Sequence, residues 1–150
     1  MLLNNFKVKL DANKIKEITS TARNISNLEL SGIDGQHDDL IALFVRFGLQ
    51  LNKLKISNST IDDFTLKEML RLCVNLKELT LNEVTMVKKL PVLNAVRNDS
   101  IKVLSVHYCD WEIFKLFKKS QLTSLTIKNY LDEASRKNLV SFLATQYRLK

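Results

Sequence analysis

The chain has 150 residues, 45% of them hydrophobic, with three glycines and one proline. This composition argues against intrinsic disorder and supports a single folded domain spanning residues 1–150. No stretch approaches the roughly 18 apolar residues of a membrane span, so we expect no membrane partner. Cys73 and Cys109 lie far apart among apolar neighbours, which predicts buried free thiols in the cytoplasm or nucleus.

The net charge of +7 is unevenly distributed. Residues 1–85 hold 11 basic and 11 acidic side chains, whereas residues 86–150 hold 12 basic and 5 acidic ones. The second half therefore presents either an ordinary solvated surface or a basic binding patch.

One short phrase, apolar-x-x-apolar-x-apolar, recurs along the chain. Its six copies are Leu3/Phe6/Val8, Ile25/Leu28/Leu30, Leu51/Leu54/Ile56, Leu76/Leu79/Leu81, Ile101/Leu104/Val106 and Leu122/Leu125/Ile127. Their first residues are 22, 26, 25, 25 and 21 positions apart, a period typical of solenoid repeats. The alternation within each phrase predicts a short strand with one buried face.

Segments with helical spacing separate the strands, and most of them begin near acidic residues that suit a helix start. We predict that the inner faces of these helices hold Leu40, Leu43, Phe44, Phe47, Phe64, Leu66, Met69, Leu70, Cys73, Phe114, Phe117, Leu139, Phe142 and Leu143. After the fourth strand Pro91 takes the place of the acidic start. Ile61, Met86 and Trp111, five residues beyond their strands, are expected to point into the core.

The predicted fold is therefore α/β, with about six strand–loop–helix units stacked on one another. At this point the sequence resembles the leucine-rich-repeat superfamily, and its units are similar to the cysteine-containing subclass found in F-box proteins. The segment Ile101-Lys102-Val103-Leu104-Ser105-Val106-His107-Tyr108-Cys109 carries the fullest match. Only Cys109 supplies the characteristic cysteine; the equivalent positions hold Asp11, Ile33, Ser59, Val84 and Tyr130.

The resemblance implies a curved solenoid with strands on a concave wall and helices on the convex side. In F-box proteins of this kind, the repeats hold the substrate, and a separate helical motif docks the chain onto a cullin-based ubiquitin ligase. That motif is not visible here. The chain starts directly at a repeat and ends with Leu149-Lys150, where a seventh phrase is expected to begin, so it looks like part of a longer array.

The predicted protein-binding surface consists of strand side chains that face away from the core, together with one loop residue. These are Lys7, Glu29, Lys53, Lys55, Glu78, Thr80, Asn82, Val103, Ser105, His107, Tyr108, Thr126 and Lys128. Val103, His107 and Tyr108 form either a small anchor patch or an ordinary exposed surface.

The sequence predicts no enzyme, no cofactor and no metal site. It has no Gly-rich phosphate loop, nucleophile elbow or paired-histidine motif. His37 and His107 are 70 positions apart without a cluster of ligands, and Cys109 is expected to turn inward as a core thiol.

Two alternatives to ubiquitin-linked substrate recognition stay open. One is a generic intracellular scaffold built from similar repeats. The other is nucleic-acid or ribonucleoprotein binding through the basic second half, which would use Lys88, Lys89, Lys115, Lys118, Lys119, Arg136 and Lys137.

Overall fold

The computed structural model describes residues 5–9, 12–35, 37–129 and 132–149, without the side chains of 5–9 and 12. Asp11 and Tyr130, two of the positions equivalent to Cys109, and Leu3 of the first phrase lie outside the described residues. The strands are β1 (Asn5–Lys9), β2 (Asn27–Ser31), β3 (Lys53–Asp62), β4 (Glu78–Val87), β5 (Val103–His107) and β6 (Ser124–Lys128). The helices are α1 (Ala12–Thr21), α2 (His37–Phe47), α3 (Asp63–Leu72) and α4 (Glu133–Leu143), with a 3₁₀ helix at Trp111–Phe117.

The α/β prediction is confirmed. In the described residues the strands form one six-stranded sheet in the order β1 to β6, and each strand pairs in parallel with its neighbours in sequence. The register aligns the recurring phrase across the sheet: Leu28 lies beside Leu54, Leu54 beside Leu79, and Leu79 beside Leu104. The sequence period therefore corresponds to the step from one strand to the next.

The strands β2 to β5 each have a buried face, because successive side chains on a strand point to opposite sides. On β4, for example, Leu79 and Leu81 are 1% exposed, whereas Glu78, Thr80 and Asn82 are half-buried. The helices pack against the buried face and against one another, with contacts from α1 to α2, from α2 to α3, and from α4 to the 3₁₀ helix. The opposite face of the sheet stays open to solvent.

Backbone hydrogen bonds repeat from one unit to the next at the start of each strand. The carbonyl oxygen of Asn52 accepts from the amides of Lys77 and Glu78, at 2.8 and 3.1 Å. The carbonyl oxygen of Lys77 accepts in the same way from Lys102 and Val103, at 2.9 and 3.1 Å. These bonds fix the stacking of successive connections at the end of the sheet where the strands begin.

The prediction of a helix after Pro91, in the connection between β4 and β5, is wrong. Residues 88–102, between β4 and β5, contain no helix. Polar side chains hold this segment instead: Asp63 Oδ1 accepts from the amides of Lys89 and Leu90, at 2.9 and 3.2 Å. Asn98, 4% exposed, donates from Nδ2 to the carbonyl oxygens of Leu70 and Cys73. A proline permits a helix start but cannot supply the apolar stripe that a packed helix needs.

Two residues predicted for the core are exposed rather than buried. Phe64 is 44% exposed because it lies about 200° around α3 from Leu66, outside the stripe that faces the core. Leu143 is 39% exposed, because in the described structure α4 contacts the 3₁₀ helix and only a narrow stripe centred on Phe142 is covered. Trp111 is half-buried against the core, with its ring centroid 5.2 Å from that of Phe114.

Candidate protein-binding surface

The residues predicted to bind a partner lie together on the uncovered face of the sheet, called the open face here. Its side chains come from alternate strand positions that the parallel register places side by side. The open face comprises Asn27, Glu29, Ser31, Lys53, Lys55, Ser57, Glu78, Thr80, Asn82, Val103, Ser105, His107, Ser124, Thr126 and Lys128. Of these, Ser57 is on this side of the sheet but is buried, at 7% exposed. Lys7 lies on β1, and its side chain is outside the part of the chain that the structure describes.

The charged half of the open face is internally paired. Lys53 Nζ lies 2.9 Å from Glu78 Oε1, and Lys55 Nζ lies 2.7 Å from Glu29 Oε1. Both pairs join side chains directly opposite each other on adjacent strands. Exposed ion pairs contribute at most about 1 kcal/mol to folding, so these residues remain available to exchange partners.

The other half of the open face, apart from Lys128 at the end of β6, is neutral and dominated by small polar groups. Thr80, Val103 and Ser105 are half-buried, whereas Thr126 on β6 is exposed. Val103 is thus less exposed than the sequence predicted, because strands on both sides flank it. The half offers hydroxyl groups and one aliphatic side chain on a backbone held by strand pairing on both edges of β5.

His107 and Tyr108 lie where β5 ends. Burial lowers the pKa of His107, and the positive charge of Lys128 on the adjacent strand lowers it further. His107 is therefore neutral at physiological pH. Tyr108 is 53% exposed, and its amide donates to the carbonyl oxygen of Lys128 at 2.7 Å, which fixes its backbone at the rim of the open face.

A left-handed residue follows the same open-face position on four successive strands. The φ angles are 74° at Gly32, 47° at Asn58, 53° at Glu83 and 53° at Tyr108. Glycine and asparagine adopt this conformation readily, but glutamate and tyrosine do so at a cost of about 1 kcal/mol. Sequence reasoning missed the feature, because only two of the four residue types signal it.

Directly after the left-handed residue, Ser59 in one unit and Cys109 in another occupy equivalent buried positions. Ser59 Oγ accepts from the amide of Ile33 at 3.1 Å, and Cys109 Sγ accepts from the amide of Val84 at 3.4 Å. Each also donates to the carbonyl oxygen two residues earlier, at 2.7 Å from Ser59 and 3.2 Å from Cys109. Ser59, which the repeat alignment places at the position equivalent to Cys109, therefore makes the same contacts as the cysteine.

Both cysteines are buried free thiols, as predicted. Burial raises the pKa of Cys73 to about 12. Burial also raises the pKa of Cys109, while its hydrogen bond from Val84 opposes that shift. Both thiols are protonated at physiological pH and serve the packing of the core.

The buried carboxylate of Asp62 contacts residues from three of the segments that connect the strands. Asp62, 1% exposed, caps α3 by accepting from the amide of Thr65. Its Oδ2 lies 2.9 Å from His37 Nδ1 and 2.8 Å from Lys89 Nζ. Burial alone would raise the pKa of Asp62, but the hydrogen bonds from Lys89 and Thr65 bring it below its ordinary value.

We expect Asp62→Asn to lower the free energy of unfolding by about 2 kcal/mol near pH 7, because His37 and Lys89 lose a buried carboxylate. The cap survives, since asparagine also accepts from Thr65. A carboxylate with a lowered pKa stabilises the fold above its unfolded pKa of about 4 and loses that effect as the pH falls through its folded value. Urea unfolding at about pH 7 and about pH 3 should therefore show a difference between wild type and Asp62→Asn that shrinks in acid; a constant difference would contradict this explanation.

Four of the seven basic side chains predicted to form a nucleic-acid surface have a carboxylate partner. Lys88 and Lys115 both pair with Glu112, at 3.8 and 2.6 Å, and Lys89 pairs with Asp62. Lys137 pairs with Glu133 on an exposed turn of α4. The members of this group that remain outside ion pairs in the described residues are Lys118, Lys119 and Arg136, all exposed.

Comparison with known proteins adds no assignment: no protein-family model matches the chain, and no curated protein matches it. In the residues that the structure describes, no three His, Cys, Asp or Glu side chains gather in a way that could hold a metal ion. No helix in that part of the chain is both long and apolar enough to cross a membrane.

Proposed function

We propose that this chain is a leucine-rich-repeat solenoid of about six repeats that binds a protein partner on its open face. The observation that carries the proposal is an all-parallel sheet, in sequential order, that leaves one face uncovered. Parallel sheets are usually covered on both faces, so an uncovered one leaves a broad backbone-rigid surface for a partner. Helices are wider than strands, and stacking them on one side bends this surface into a concave wall.

Three recurring features support the repeat. The phrase period matches the strand-to-strand step, the backbone carbonyls at the strand starts accept in the same pattern, and the left-handed residue returns on successive strands. Independent coincidences would not share one register. In this proposal, the order of side chains across the wall determines which partner is recognised.

The more specific proposal is that the chain forms the substrate-recognition repeats of an F-box-type ubiquitin ligase subunit in the cytoplasm or nucleus, without catalysis or cofactor. The hydrogen bonds of Cys109 support this proposal, because the thiol accepts from Val84 of the preceding unit and donates to His107 of its own unit. A scaffold of the same architecture without a link to ubiquitin is the alternative. Ubiquitin on the captured partner, reduced when this chain is depleted from cells, would separate the two.

A crosslinking experiment tests partner binding. A photoreactive amino acid at Thr126, exposed on the open face, is compared with one at Val140, exposed on α4. We expect a protein partner to crosslink from Thr126 and not from Val140. Capture at two salt concentrations identifies nucleic-acid binding, because contacts with phosphates weaken steeply with salt.

Paired substitutions then measure the contribution of the open face. We expect Thr80→Arg/Ser105→Arg to weaken binding of the captured partner at least about ten-fold, because two bulky charges block the neutral half. Ala134→Arg/Asn138→Arg adds the same charge on exposed positions of α4 and should change affinity by less than about two-fold. Equal losses in both variants, or a capture consisting of nucleic acid that vanishes with salt, would contradict the proposal.

A further inference from the structure

A groove crosses the end of the sheet where β3, β4 and β5 begin, away from the open face. This lysine groove is lined by Leu49, Asn52, Asn75, Lys77, Ser100 and Lys102. Its floor is ordered by backbone hydrogen bonds, since the Asn52 carbonyl accepts from the amide of Lys77, and the Lys77 carbonyl accepts from the amide of Lys102. Asn75 Nδ2 donates to the carbonyl oxygen of Leu49 at 2.8 Å and ties two neighbouring turns together.

Among the described residues, the lining carries two cations and no carboxylate. Lys77 and Lys102 occupy equivalent positions directly before β4 and β5, so their backbones are about 4.8 Å apart. In the described part of the chain neither lysine pairs with a carboxylate, although Lys102 Nζ donates to the carbonyl oxygen of Asp99 at 2.7 Å. The two nearest acidic side chains in sequence are engaged elsewhere, Glu78 with Lys53 and Asp99 with Arg97.

An apolar patch adjoins these charges. Leu49 is 66% exposed, and Val74, at the same place in the following turn, is 50% exposed. Exposed aliphatic side chains beside unpaired cations favour a ligand that is itself amphipathic. The described lining contains no aromatic side chain, so it offers no stacking platform of the kind by which proteins usually hold unpaired bases.

We infer that the lysine groove is a second binding site, independent of the open face, for an acidic peptide segment that also presents an aliphatic side chain. Carboxylates of the segment contact Lys77 and Lys102, and the aliphatic side chain covers Leu49. Asn52, Asn75 and Ser100 offer hydrogen bonds to the peptide backbone along the same line. The inference concerns different residues from the proposed partner surface, so either can fail without the other.

A defined probe tests the inference. A hexapeptide of alternating glutamate and leucine is titrated into the isotope-labelled chain, and backbone amide shifts are followed by NMR. We expect saturable shifts at Asn52, Lys77 and Lys102, and none of comparable size on β6. A lysine–leucine hexapeptide of opposite charge should leave these amides unshifted.

Matched variants separate the groove from general basicity. We expect Lys77→Glu/Lys102→Glu to weaken binding of the glutamate–leucine peptide at least about ten-fold, and Leu49→Ser to weaken it about three-fold. Lys118→Glu/Lys119→Glu makes the same change of charge at exposed positions outside the groove and should have less than about a two-fold effect. The amide spectra of all variants report whether the fold is retained.

Three results would overturn the inference. The first is that the peptide leaves the groove amides unshifted, and the second is that both double variants weaken binding of the peptide equally. The third result is that oligothymidine shifts the same amides at lower concentration than the peptide, which would assign the groove to nucleic acid. In each case crosslinking from Thr126 would still test the open face separately.

Discussion

Phe114→Ala is expected to lower the free energy of unfolding by about 4 kcal/mol. The side chain is 2% exposed, and its ring centroid lies 5.2 Å from that of Trp111 and 5.0 Å from that of Phe142. The 3₁₀ helix that carries Phe114 has poorer hydrogen-bond geometry than an α-helix, so its position depends on these aromatic contacts. Urea unfolding followed by circular dichroism measures the loss.

Phe64→Ala is the matched control, because it removes the same ring from a 44% exposed site on α3. We expect it to cost less than about 1 kcal/mol. Similar losses for the two variants would show that the aromatic packing around the 3₁₀ helix contributes no more to the free energy of unfolding than an exposed ring does.

Gly48→Ala is expected to destabilise the chain by about 3 kcal/mol. A Cβ atom at this position would overlap the carbonyl oxygen of Phe44 and lie 2.8 Å from that of Leu72. Both are backbone atoms, which cannot rotate away as a flexible side chain could. The end of α2 and the end of α3 would have to separate, and thermal unfolding should record a lower midpoint.

Gly35→Ala tests the second reason why a position requires glycine, which is a positive φ angle. A Cβ at Gly35 meets nothing within 4 Å, but its φ of 76° is a conformation that L-residues rarely adopt. We expect a loss of about 1 kcal/mol from backbone strain alone. If Gly35→Ala costs as much as Gly48→Ala, close approach of α2 and α3 is not the dominant constraint at Gly48.

The strands could be predicted from the sequence because their signal is local. The alternating apolar residues around Leu54, Leu79 and Leu104 specify both the buried face and the spacing, and the register follows from them. Helices with a regular apolar stripe were equally accessible: Leu40, Leu43, Phe44 and Phe47 are all buried on α2. The prediction that Phe64 is buried was wrong because the angular position of Phe64 around the helix axis places it outside the apolar stripe of α3.

The fourth connection could not be predicted, because polar side chains from another unit determine its path. Nothing near Lys89 and Leu90 in the sequence indicates that Asp63, 26 and 27 residues earlier, accepts from both amides. The close approach at Gly48 is also tertiary, since it depends on Leu72 of the next unit. Such features depend on how units stack, whereas propensity describes single segments.

The candidate surface was predictable in position but not in character. Alternation placed Lys53, Lys55 and Glu78 on one face, but only the register reveals that each lysine meets a carboxylate directly across the strand pair. The lysine groove escaped sequence reasoning entirely. In the sequence, Leu49 and Lys77 resemble an ordinary loop residue and an ordinary surface lysine. Only the folded structure places them in one groove.

The sequential pairing of strands also has a consequence for how the chain folds. Every strand finds its partners in the adjacent units, so no pairing requires ends of the chain to meet. Loop closure between neighbours is entropically inexpensive, and a nucleus formed by any adjacent pair can grow in either direction. β3 and β4, paired over nine residue positions from Lys53↔Glu78 to Asp62↔Val87 with a break at Asn58, form the longest such contact and are the natural place for that nucleus.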